Sequence, residues 1–268
     1  MGVSRGFTLT AGGVTVDLRD PESLSTAGLE GIGLPDIEPQ WLTGAGDGSL
    51  YRGARVMPRT LTMPIILAGD TVDDLLAQLD DLSTVLSPEN APARLTMTLD
   101  PDGSGEESWW LDVIRAGGGD FSMGETTDGE TYAFTTVELI AGDPYWTAVD
   151  AVTINPVTLG TEPITNPGTA PAWPVFTITG PATGFTLAHS GRSLTWAGTL
   201  ASAATITVDA RDGTVSDGTG TNLFGGLSAA PRFWSIPPGT KSATIAMTGT
   251  GAGSNVAVTF YPRRWVVL

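Results

Sequence analysis

Cysteine is absent from these 268 residues, which excludes disulfides and thiolate metal sites. Histidine occurs once, at His189, so a zinc site built on imidazoles has no second ligand of its kind. Lysine also occurs once, at Lys241, and the other cations are all arginine. No stretch approaches the ~18 consecutive apolar residues of a membrane-spanning helix, and membrane insertion is not expected. The N-terminal MGVSRGFTLTAGG has no basic-then-apolar signal order. It also departs from the myristoylation pattern, because Gly6 stands where Ser or Thr is required.

What the chain does have is acid, and nearly all of it lies in one half. Residues 1–150 hold 25 Asp and Glu against 7 Arg, a net of −18. Residues 151–268 hold 4 Asp and Glu against 6 Lys and Arg, a net of +2, and together these give the overall −16. A change this abrupt, at a proline-rich stretch, predicts two differently built domains joined near residue 150. The acidity disfavours nucleic-acid binding, which depends on cations displacing phosphate counterions. DNA, if it meets this protein, is expected to pass without specific binding.

The 35 glycines and 19 prolines are dispersed, as many short strands and tight turns require. Phe7-Thr8-Leu9 and Val14–Leu18 alternate around Gly12-Gly13 and read as a hairpin. Residues 20–50 read as loop, with Pro21, Pro35 and Pro39. Leu61, Met63, Ile65 and Leu67 alternate in a strand whose Pro64 marks an edge or a bulge. One helix is predicted over 72–86, capped by Thr71, with Asp73 and Asp74 in its first turn. Leu75, Leu79, Leu82 and Leu86, supported by Leu76 and Val85, form its apolar stripe. Further strands are expected at 93–99, 109–115 and 131–140. Prolines 156, 163, 167, 171 and 174 make 147–174 an ordered linker. Beyond it, strands are predicted at 175–179, 184–188, 193–197, 205–210, 233–236, 242–248 and 255–261. Strands of this number and spacing imply a two-layer antiparallel sandwich of jelly-roll type.

The chain offers little catalytic chemistry. Gly2-Val-Ser4-Arg-Gly6 matches G-x-S-x-G, but a nucleophile elbow must follow a strand and only Met1 precedes this one. Glu106, Glu107, Glu125, Glu130 and Glu138 are candidate carboxylate pairs for glycoside hydrolysis, yet acids this abundant read as a solvated face. Asp100, Asp102, Asp209, Asp212 and Asp217 lack EF-hand order and read as Asp-Gly turns. His189 reads as an exposed turn residue. Trp109, Trp110, Trp196, Trp234 and Trp265 are candidate sugar platforms, but core or interface packing is the favoured role. Arg52, Arg55 and Arg59 form the only cation cluster of the acidic half and are candidates for a subunit contact, a setting that favours arginine. No catalytic, metal or cofactor site is assigned, and no enzymatic activity is expected.

The order of these features resembles the distal tail protein of phages with long, non-contractile tails. The first half is similar to that family's N-terminal belt domain in its early hairpin, the Gly44-Ala-Gly-Asp-Gly48 loop leading to Arg52, the strand Val56–Leu67 and the single helix. Asp143-Pro144-Tyr145-Trp146 resembles the segment that closes that domain and marks a candidate interdomain junction. Asn166-Pro-Gly-Thr-Ala-Pro-Ala-Trp-Pro-Val-Phe176, Ile206-Thr-Val-Asp209, Phe233-Trp-Ser-Ile-Pro-Pro-Gly239 and Val258–Trp265 look like the galectin-like C-terminal domain of phage tail components. The resemblance implies a mainly β fold: an α+β belt domain over 1–146 with one main helix, the linker 147–174, and an all-β galectin-like sandwich over 175–268. It implies a structural protein of the tail tip, located in the virion and made in the host cytoplasm. There it forms a homohexameric ring around the DNA channel and connects the tail tube protein, the tape-measure protein and the tail-associated tip protein. A carbohydrate- or receptor-binding module touching host surface glycan is an alternative, and a cell-wall glycan hydrolase a further one.

Overall fold

The computed structural model describes residues 4–18, 28–100, 106–123, 131–157 and 159–267. The chain divides into two compact units, one of residues 1–147 with 265–268 and one of residues 148–264. The second unit is therefore an insertion: the chain leaves the first after Thr147 and re-enters it at Trp265.

The first unit contains β1 (Ser4–Ala11), β2 (Val14–Asp17), β3 (Ile37–Thr43), β4 (Ser49–Val56), β5 (Arg59–Ala68), α1 (Val72–Val85), β6 (Ala93–Asp100), β7 (Glu107–Gly118), β8 (Ser122–Met123), β9 (Tyr132–Ala141) and the exit strand β10 (Trp146–Ala148). Strands β1 and β2 form the hairpin its glycines predict. Gly12 and Gly13 both take positive φ, 59° and 80°, as a two-residue primed turn demands. The sheet runs β2-β1-β6-β7, and the second half of β7 leaves β6 after Val113 to pair with β9 from Ile114. A bulge between Arg115 and Gly117 accompanies that change of partner, in keeping with the use of bulges to bend strands. On its other side β9 pairs β5 in ten-residue register, from Arg59↔Ala141 to Ala68↔Tyr132.

Period-two alternation sends Leu61, Met63, Ile65 and Leu67 of β5 into the core with Val137 and Leu139 of β9. Pro64 fits because β9 is the only strand paired with β5, which leaves its missing donor on an edge. Helix α1 opens with a reciprocal capping box. The Asp74 amide donates to Thr71 Oγ1 at 3.2 Å, and the Thr71 amide donates to Asp74 Oδ2 at 3.0 Å. Leu75, Leu82 and Val85 are buried, but Leu76 stays half-exposed, because it lies about 100° around the helix from Leu75.

The second unit contains β11 (Val152–Ile154), β12 (Gly160–Asn166), β13 (Val175–Thr179), β14 (Ala182–His189), β15 (Arg192–Leu200), β16 (Thr205–Asp209), β17 (Thr214–Asp217), β18 (Gly239–Thr248), β19 (Asn255–Phe260) and β20 (Arg263–Arg264). A five-stranded sheet, β11-β19-β13-β16-β17, and a four-stranded sheet, β12-β18-β14-β15, share a core built on Phe176, Ile178, Phe185, Trp234, Ile245 and Val258.

The structure corrects four expectations. Residues 147–174 are not a linker, because they supply β11 and β12, one edge strand for each sheet. Edges tolerate proline, and Pro163 sits within β12 for that reason. Residues 233–236 form no strand; Ile236 makes only an isolated bridge to Ala172. Residues 20–50 are not loop throughout, since 37–43 and 49–56 pair as a hairpin. Met57 and Pro58 separate that hairpin from β5, so Val56–Leu67 is not one strand.

The paired core of β5 and β9 generates a stability prediction. Leu139→Ala is expected to cost about 2–5 kcal/mol, read as a lower urea midpoint, whereas Thr136→Ala on the opposite face of β9 is expected to leave the midpoint within error.

Candidate assembly interface

Among the described residues, strands β3 and β4 pair only with each other. Every residue of β3 and all of β4 except Gly53 and Val56 are exposed. The hairpin is therefore a free-standing arm with neither face packed on its own unit. An isolated two-stranded hairpin is marginal in water, and this one also exposes Ile37, Trp41, Leu42, Leu50 and Tyr51. Trp41 and Tyr51 stand opposite each other and meet edge to face at 5.4 Å. A register shift next to Trp41 leaves Arg52 as the extra residue of the bulge. Apolar surface of this kind, concentrated on one projection, marks a binding site.

The arm's base is tied down by a buried cation. Arg59, 1% exposed, opens β5. Its Nε donates to the carbonyl of Pro144 at 2.8 Å, Nη1 to the carbonyls of Gly31 at 2.6 Å and Gly33 at 2.5 Å, and Nη2 to the carbonyl of Trp265 at 2.7 Å. Its guanidinium carbon lies 5.8 Å from the ring centroid of buried Trp146. Gly31 is obligatory here: its φ is +86°, and a Cβ would fall 2.0 Å from the Thr60 carbonyl. Burial pushes the guanidinium's pKa down to about 10, which leaves it cationic at neutral pH.

The three candidate arginines thus separate. Arg52 and Arg55 are exposed on the arm, while Arg59 is spent inside its own unit and offers no surface contact. Two of the four candidate junction residues, Pro144 and Trp146, meet Arg59 instead. Asp143 Oδ1 accepts from the Tyr145 amide at 3.3 Å, Pro144 and Trp146 contact Arg59 as described, and the Tyr145 ring meets Trp265 edge-on at 4.8 Å. The arm itself was missed in the sequence. Its signal was the alternation Ile37-Pro39-Trp41 opposite Leu50-Tyr51 across Gly44–Gly48, which the prolines and glycines obscured.

The other candidates lie elsewhere. Trp109, Trp196 and Trp234 are buried. Trp110 is covered by Arg94, whose guanidinium carbon sits 3.9 Å from the ring centroid and whose Nε contacts Asp112 at 3.1 Å. These four present no open sugar platform. His189 ends β14, with Nδ1 3.0 Å from the Ser242 carbonyl and its ring 5.2 Å from that of Trp234. Asp209 Oδ1 accepts from the amides of Arg211 and Asp212, which is turn chemistry. Asp217 Oδ1 accepts from the Thr219 hydroxyl, the Thr221 amide and the Thr219 amide, and these bonds hold its carboxyl below the usual range. Glu138 is exposed on β9 and Glu107 Oε2 faces Trp109 Nε1 at 3.4 Å. Asp102, Glu125, Glu130 and Gly2 lie outside the described residues, and no metal-ligating cluster is found among those described.

The clamp generates a prediction. Arg59→Met strands four carbonyls and is expected to cost at least about 3 kcal/mol. Arg59→Lys is expected to recover less than half of that, since an ammonium cannot span the planar fork. Both are read by urea unfolding. Because the folded pKa, about 10, lies below the unfolded value, the unfolded state holds the extra proton only above pH ~9. The wild-type-minus-Met difference is therefore expected to be flat from pH 6 to 8.

Residues 167–265 match the family model for the siphovirus-type tail component, C-terminal domain. No curated protein matches the sequence. Among solved structures, the Dit protein of phage SPP1, described as a paradigm of hub adsorption apparatus in Gram-positive infecting phages, superposes with a TM-score of 0.70 at 18% identity, covering 96% of this chain and 98% of that one. A chain of the phage P2 baseplate in its activated conformation with Ca superposes at 0.55 with 8% identity, covering 98% of this chain and 99% of that one. The same baseplate with Sr also gives 0.55, at 9% identity and the same coverage. The chain is Dit-like in fold along its length, and its residues 167–265 are similar to the siphovirus-type tail component, C-terminal domain.

Proposed function

We propose that this protein is a structural component of a phage tail tip that joins its own copies into a ring, hexameric as the resemblance implies. The observation that carries this reading is the free-standing arm, which exposes an aromatic pair and two arginines and is marginal without a partner. The Dit-like fold supports a hub position between tail tube and tip, with the tube, tape-measure and tail-associated tip proteins as neighbours. The 25 acids of the first 150 residues suit the wall of a DNA channel, where like charge prevents sticking. The chain acts as a scaffold, with no catalytic step assigned. Asp143–Trp146 with Trp265 serves as the junction through which the inserted sandwich is attached.

Purified protein examined by light scattering and negative-stain electron microscopy is expected to give closed rings of about six copies of the 27.7 kDa chain. A single 27.7 kDa species persisting at high concentration sinks the self-assembly reading.

A further inference from the structure

Resting on that self-assembly reading, we infer that the arm of one copy docks on the outer face of the β5–β9 pair of a second copy. A solvated sheet face normally carries polar residues, and this one does so only in part. Pro64 and Ile66 of β5 stand opposite Thr136 and Phe134 of β9. Phe134 is 42% exposed and takes the edge of Tyr132 at 5.4 Å. With Gly118 and Asp120, these residues line an open hollow of about 460 Å³. Its lining is mixed: Pro64, Ile66 and Phe134 are apolar, Thr136 and Asp120 are polar, Glu138 is exposed further along β9, and one cation, Arg115, lies close by with its Nη1 donating to the Gly118 carbonyl at 2.9 Å. Glu138 reaches over Gly117, where a Cβ would meet its Oε2 at 2.8 Å.

The arm carries the complementary chemistry. Its Trp41–Tyr51 pair is the size of an aromatic anchor, and Arg52 projects from the bulge beside it. Arg52 and Arg55 are two of only seven cations among 25 acids in residues 1–150. A hollow with apolar side chains and one carboxylate on its lining accepts an aromatic ring flanked by a guanidinium. Arm and hollow are both exposed within one chain, so the contact is not made internally. Arm-to-face pairing is heterologous, the kind of contact that repeats around a ring.

The chain's lack of cysteine permits a direct test. Ser49→Cys places a thiol on the arm, Thr136→Cys one beside Phe134, and Thr165→Cys a control thiol on exposed β12. On mixing single-cysteine proteins under mild oxidation, the 49–136 disulfide is expected to form at least about tenfold faster than 49–165, as effective concentration dictates. Phe134→Glu is expected to abolish both that cross-link and self-association without lowering the urea midpoint. Equal cross-linking rates overturn the inference. So does loss of association in Trp41→Glu but not in Phe134→Glu, which keeps self-assembly and moves the dock elsewhere. A monomer that forms no cross-link, with an arm protected from proteolysis only by another tail protein, overturns the inference and the self-assembly reading together.

Discussion

Four hydrogen bonds from one buried guanidinium organise the first unit. Arg59 reaches carbonyls 26, 28, 85 and 206 residues away in sequence, at the foot of the arm, at the exit toward the inserted unit and at the return from it. Burying a cation is costly unless its donors are satisfied, and here four are. Only a planar, multi-donor group can hold such divergent acceptors at once. The arm therefore springs from a fixed base although nothing packs on its faces. Within the first unit, the same side chain holds residues near the point where the chain leaves it, Pro144 and Trp146, and the residue on which it returns, Trp265.

The edges of the two units are managed differently. In the inserted sandwich, the proline-rich stretch supplies an edge strand to each sheet, and Pro163 within β12 removes one donor from an edge. Solvated faces there are dressed with hydroxyls: Thr153 pairs with Thr259, Thr165 with Thr240 and Thr186 with Thr195, all within 3.1 Å. Hydroxyl faces need few ions, which accounts for the near-neutral charge of this half. In the first unit the arm leaves both strands as edges, and their apolar side chains remain uncovered. A domain otherwise coated in acid that leaves Trp41, Leu42, Leu50 and Tyr51 in solvent is shaped for contact with protein.

Periodicity made much of the fold legible. The hairpin at Gly12-Gly13, the capped helix and the inward face of β5 depend on nearest-neighbour chemistry and alternation, which a sequence displays directly. The arm was not legible, because prolines and glycines are tolerated in a two-stranded ribbon that is all edge, and the same residues otherwise signal loop. The linker reading failed for the same reason at β11 and β12. Among the candidate arginines, the cluster was visible but its division was not. Spacing of 52, 55 and 59 says nothing about which member faces inward.

The mainly β class, the single helix, the change of character near residue 150 and the poverty of catalytic groups can be read from the chain's residues alone, since each is a matter of composition or short-range pattern. That the second unit is an insertion, that Arg59 is a clamp and that both strands of an arm stay exposed emerges only once the chain is folded. Those features arise from pairings between residues tens to hundreds of positions apart. Whether a guanidinium meets solvent or four carbonyls is settled only when the chain brings those carbonyls to it.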